Sequence, residues 1–182
     1  MIGRLVTEHP RAQSLQSVPT IFASGSNYYS ELVSNASANE AIDIGGSVAV
    51  IAASFTGERR VVPHVKVHDV VYLEWHRRLL DSIRGLGYKT ISKRHPKGLG
   101  ADLNLFTPNS DTELTQTSMA SLGNVEGFVL DIAGSAFMEA MCSLKPVVLV
   151  DIPTRRMTDE GRSRILESAQ IVKAEFDSNN RI

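Results

Sequence analysis

The chain has 182 residues, 42% hydrophobic and 21% charged, with 13 Gly and 7 Pro. At roughly 150 residues per domain this predicts one folded domain, or one plus a fragment of another, and excludes a disordered chain. Nineteen Lys and Arg against twenty Asp and Glu leave a net charge of −1, so no global field draws nucleic acid or acidic lipid and any anion site must be local.

In chain order, Val18 to Ala23 is a short apolar run with Pro19 near its start and Gly25 after it, and it predicts a strand. The i, i+4 pairs Tyr28 with Leu32 and Tyr29 with Val33 predict a short helix from Asn27, with Ser26 as its cap. Ser34 to Gly46 is small, polar and ends in two glycines, as a linker would. Residues 1–45 are therefore expected to be the remnant of an N-terminal domain or a linker, and residues 46–182 the main domain.

That domain opens on Ser47 to Phe55, almost continuously apolar, as in a parallel strand covered on both faces. Asp69 to Leu86 predicts a helix with an apolar row of Val71, Trp75, Leu79, Ile83 and Leu86, stopped by Gly87. Tyr88 to Ser92 predicts a strand that ends near Pro96, because proline lacks a donor and disfavours helical geometry at His95. Ser110 and Glu113 have capping-box spacing for a weak helix ending near Gly123. Val125 to Ile132 predicts a strand, Ser135 to Leu144 a helix, Pro146 to Ile152 a strand, and Thr158 to Phe176 a terminal helix with Ile165, Ala169, Val172 and Phe176 on its apolar face. This alternation predicts an α/β fold, a Rossmann-like parallel sheet with helices on both faces. In such folds ligands sit at the carboxyl ends of the strands where strand order reverses, so the loops after strands hold the candidate chemistry.

Lys93-Arg94-His95-Pro96-Lys97-Gly98 is a compact cationic loop suited to an anion, although a solvated basic turn has the same composition. In Leu130-Asp131-Ile132-Ala133-Gly134-Ser135-Ala136, a strand ends, small residues turn, and a helix begins with free backbone donors that can hold a phosphate. Gly134 permits close approach, Ser135 can cap the helix or donate its hydroxyl, and Glu139 lies one turn further along the same face. A serine cap and a first-turn glutamate also stabilise a helix that has no ligand. Asp151 to Arg156 after the last strand carries paired arginines, more often simply exposed. His64, His68 and His76 lack a carboxylate at metal-ligand spacing, so they are expected to be solvated or partly packed, with no metal. Ser54 to Arg60 matches neither G-x-G-x-x-G nor the P-loop, which disfavours a dinucleotide or ATP cofactor.

K-R-H-P after one strand, then G-S and E-A-M-C-S-L-K-P-V-V-L-V-D around the next two, resembles the C-terminal, donor-binding half of a GT-B-type glycosyltransferase. The similarity is greatest to bacterial surface-polysaccharide and capsule enzymes and extends distantly to CDP-glycerol glycerophosphotransferases. It covers about Val48 to Arg164. The resemblance implies that Lys93, with Arg94, and His95 meet the donor phosphates, that the Gly134-Ser135-Ala136 helix start holds a phosphate, and that Glu139 meets the ribose. It implies as partners a nucleotide-activated sugar donor and a glycan or lipid-linked acceptor of the kind found at membranes, with a partner domain or a second copy completing the enzyme. The sequence departs from the family in two ways. Only residues 1–45 precede the donor domain, which points to a truncated enzyme or a non-catalytic interaction domain. Positions 133–136 carry one hydroxyl where relatives often show Ser or Thr pairs. No catalytic base is identifiable, and the carboxylate and histidine set of a sugar-nucleotide epimerase cannot be placed.

Cys142 is the only cysteine, which excludes an internal disulfide framework and a thiolate zinc cage. The apolar run from Val48 to Phe55 is far below the roughly 18 residues that span a membrane, and the N-terminus lacks a signal-peptide pattern. The expected location is the cytoplasm.

Overall fold

A computed structural model describes residues 26–35, 45–52, 69–93, 109–114, 122, 124–152, 157–179 and 181. Among these, six strands form one all-parallel sheet: β1 (Ser47–Ile51), β2 (Lys89–Lys93), β3 (Thr112–Leu114), β4 (Gly127–Leu130), β5 (Val147–Asp151) and β6 (Gln170–Lys173). Their spatial order is β3-β2-β1-β4-β5-β6, so the chain builds outward in both directions from a central β1/β4 pair. Four helices accompany them: α1 (Asn27–Asn35), α2 (Asp69–Gly85), α3 (Ser135–Cys142) and α4 (Asp159–Leu166). The fold is Rossmann-like α/β.

The apolar strands are sandwiched, as their composition requires. Ala49, Ile51, Ile91, Phe128, Leu130, Val147 and Leu149 pack on one face with Phe137 and Ala140 of α3 and Ile165 of α4. Val50, Val129 and Val150 face the other layer, built by Tyr72, Trp75, Leu80 and Ile83 of α2. Right-handed crossovers produce this segregation, because β1 to β2 and β4 to β5 travel in opposite directions across the sheet. α1 packs against α3. Among the described residues no helix is long and apolar enough to cross a membrane.

α2 ends as its sequence predicts. Gly87 adopts φ +90°, its amide donates to the Arg84 carbonyl at 2.9 Å, and the Tyr88 amide reaches back to Ile83 at 3.4 Å, the paired bonds of a Schellman stop. The buried stripe is rotated from the expected row, to Tyr72, Trp75, His76, Leu80 and Ile83, with Leu86 77% exposed. Leu86 lies in the terminating turn, past the last residue whose side chain can follow the helix face.

Two expected helices are strands in whole or in part. Ser110 and Glu113 do not open a helix: the Ser92 hydroxyl donates to Ser110 Oγ at 2.7 Å, and Thr112–Leu114 pairs with β2 as β3. The Asp111 carboxylate accepts from both the Thr90 amide (2.7 Å) and its hydroxyl (2.9 Å), while Asn109 is held by Arg77 and Arg84 of α2. These side-chain bonds select the extended conformation over the local capping preference. The terminal helix stops at Leu166, and Gln170–Lys173 becomes β6 along β5. β-branched Ile171 and Val172 favour that outcome, and Val172 and Phe176, expected on a buried helix face, are 47% and 38% exposed. Thr158 caps α4, accepting from the Gly161 amide at 3.1 Å. The expected strand at Val18 to Ala23, and residues 36–44 of the expected linker, lie outside the described residues.

Gly127 is required where β4 meets the Pro146 carbonyl. The Phe128 amide donates to that oxygen at 2.9 Å, and a Cβ on Gly127 would stand 2.9 Å from the same atom. Gly127→Ala must therefore move backbone, and a loss of about 1–3 kcal/mol in urea unfolding is expected, without change in the denaturant slope.

Hydrogen bonds from Thr90 hold the Asp111 carboxyl below the usual carboxylate range. A depressed folded-state pKa contributes stability above the unfolded value, near pH 4, that is lost as pH falls through the folded one. Asp111→Asn should thus be less stable than wild type at neutral pH. The difference should shrink on acidification below about pH 4, as followed by chemical denaturation at each pH.

Candidate functional site

Strand order reverses between β1 and β4, and the carboxyl ends of these strands flank the natural crevice of the fold. Register brings the first residues of the two sequence-predicted segments, Lys93 and Leu130, to one edge. Ile51 is level with Lys93 on one side and with Leu130 on the other, so the backbones of Lys93 and Leu130 lie two strand spacings apart, about 10 Å. Side-chain alternation puts Lys93 on the same sheet face as Ile91, the face covered by α3, and its side chain is half-buried. Arg94 and His95 lie outside the described residues, as do His64, His68, Arg155 and Arg156.

The second loop leaves β4 as Asp131-Ile132-Ala133-Gly134 and enters α3. The expected serine cap is corrected here. Gly134 is the N-cap, with extended backbone (φ −103°, ψ −161°), and its carbonyl accepts the first helical bond from Met138 at 3.2 Å. Ser135 is the first helical residue and is exposed, because the tight exit from β4 consumes the cap position before the serine is reached. Its hydroxyl is not used to close the helix end, and the first-turn amides of Ser135, Ala136 and Phe137 have no helical acceptor by geometry.

Glu139 follows one turn on, half-buried, on the side of α3 that meets α1. The Tyr28 hydroxyl donates to its carboxylate. Desolvation, then the charge of Glu139 and this hydrogen bond, push the Tyr28 phenol above its ordinary value. Tyr29, stacked edge-on to Tyr28 at 5.2 Å, is raised by burial and by Glu139 as well. A carboxylate offers about four lone-pair sites, so one phenol leaves capacity for a diol.

Burial, and secondarily Glu139, push the Cys142 thiol up. At 5% exposure it should react with a disulfide reagent at pH 7.5 at least tenfold more slowly in the folded protein than in urea. Glu139→Gln should narrow that gap modestly, by removing the smaller contribution.

Asp151, at the end of β5, is bound by Arg162 of α4 and so serves an internal ion pair. His76 is neither solvated nor partly packed: it is 1% exposed, with its Nε2 3.3 Å from Asp131 Oδ2, and the Tyr72 hydroxyl donates to the same oxygen. The sequence reading assigned no role to Asp131 or Tyr72. The signal was faint: Tyr72 and His76 are four apart on α2, and Asp131 is the first residue after a strand. Among the described residues no group of three or more His, Cys, Asp or Glu is arranged to hold a metal.

No protein-family model matches this chain, and comparison with curated proteins finds no relative.

Proposed function

We propose that this chain is the donor-nucleotide-binding domain of a glycosyltransferase of surface-polysaccharide biosynthesis. The observation that supports the reading is the reversal of strand order between β1 and β4, with Lys93 on the α3 side of the sheet and the exposed start of α3 following β4 at the same edge. A nucleoside diphosphate is the ligand class such a rim suits. Lysine supplies a mobile point charge for phosphate, helix amides supply fixed partial positive charge, and Glu139 accepts from a ribose diol one turn along. Diphosphate departing from a sugar gains negative charge, and these donors stabilise that charge most where water is excluded.

Transfer from CDP-glycerol would use the same anion site, so the nucleobase separates the two chemistries. Calorimetry with UDP, CDP and CMP is the direct test. Saturable binding is expected to at least one of them, weakened about tenfold or more, roughly 1.4 kcal/mol, by Lys93→Ala and by Glu139→Ala. Failure of all three nucleotides to bind the wild-type chain would remove the proposal.

A further inference from the structure

One polar cluster on the opposite face of the sheet bears on this rim. Asp131 and His76 side chains are each 2% exposed, and Tyr72 is 6% exposed. The His76 ring stands edge-on to Tyr72 at 4.6 Å and to Trp75 at 4.5 Å, and Tyr72 stacks on Trp75 at 5.8 Å. Tyr72 and Trp75 belong to an apolar layer with Val150 and Ile152, so a carboxylate has been taken out of water among aromatic and aliphatic groups. Such burial is a poor way to gain stability, since well-packed apolar residues usually do as well or better. A satisfied buried network instead selects a single geometry.

The geometry at stake is the exit from β4. Val129 faces the α2 layer, Leu130 the α3 layer, and Asp131 turns back towards α2, where Tyr72 and His76 hold it. Only Ile132, Ala133 and Gly134 then remain to carry the chain across the sheet edge to the start of α3. An anchor at Asp131 therefore sets the direction from which the first-turn amides of α3 approach the crevice. We propose that Tyr72, His76 and Asp131 form a positioning clamp for the phosphate-binding end of α3. The phosphate part of this inference rests on the function proposed above. None of the three is placed against the nucleotide; they act through the 132–134 turn.

Tyr72→Phe, which deletes one hydroxyl, tests the clamp by two readouts. Amide order parameters from nitrogen relaxation should fall at residues 132–136, from the roughly 0.85 of rigid backbone towards 0.6, with β4 and the body of α3 unchanged. Affinity for UDP or CDP, whichever wild type binds, should weaken at least tenfold in the folded variant. His76→Gln should act in the same direction. Asp131→Asn keeps an oxygen acceptor for the Tyr72 hydroxyl and should restore affinity to within about threefold of wild type, whereas Asp131→Ala should not. Unchanged order parameters in Tyr72→Phe would overturn the clamp, and looser amides with unchanged affinity would overturn its link to the site. If wild type binds neither nucleotide, the proposed function falls, and the order parameters still decide whether the clamp exists.

Discussion

The structure depends on the parallel pairing of β1 with β4. These strands are distant in sequence, and between them the chain completes β2 and β3 on one side before β4 begins the other. Parallel neighbours need crossovers, crossovers are right-handed, and opposite directions of travel therefore put α2 on one face and α3 and α4 on the other. Both faces of the central strands are then dry, which is why S-V-A-V-I and V-V-L-V-D read as nearly unbroken apolar runs. The same reversal sets the carboxyl ends of β1 and β4 side by side, the place where folds of this topology hold ligands.

Alternation along the strands divides the labour at that rim. Lys93 continues the parity of Ile91 and belongs to the α3 side, with the exposed start of α3. Asp131, one residue beyond Leu130, has the opposite parity and is turned into the α2 layer. A carboxylate on the α3 side would repel the anion that the proposed site is built to receive. Asp131 is instead held on the far face, hydrogen-bonded by Tyr72 and close to His76, away from the proposed site. Glu139 stays on the α3 side but a full turn from the helix start, beside α1, where Tyr28 donates to it.

Much of the architecture was legible. β1, β2, β4 and β5 follow from apolar runs, α2 and its stop from its periodic apolar residues and Gly87, and α3 from the small-residue turn at 133–134. The edges were not. β3 and β6 are three and four residues long and contain no fully buried residue, so their sequences carry little hydrophobic signal. In both places a local helix motif pointed the other way: capping-box spacing at Ser110 and Glu113, and apolar residues at steps of four, three and four from Ile165 to Phe176. Hydrogen bonding to an existing strand outweighed each, through Asp111 and Ser110 against β2 and through the β5/β6 ladder.

By itself the sequence determined the fold class and the central strands, because burial on two faces demands a composition that exposure never does. It also marked the turn after β4 and Lys93, the last residue of β2, as candidate places for an anion. Only the tertiary structure decided that Gly134 rather than Ser135 closes the helix start, and that His76, four residues from Tyr72 on α2, meets an aspartate 55 positions away. Those outcomes depend on which strand lies beside which, and contacts between residues far apart in the chain leave no periodic trace in either segment alone.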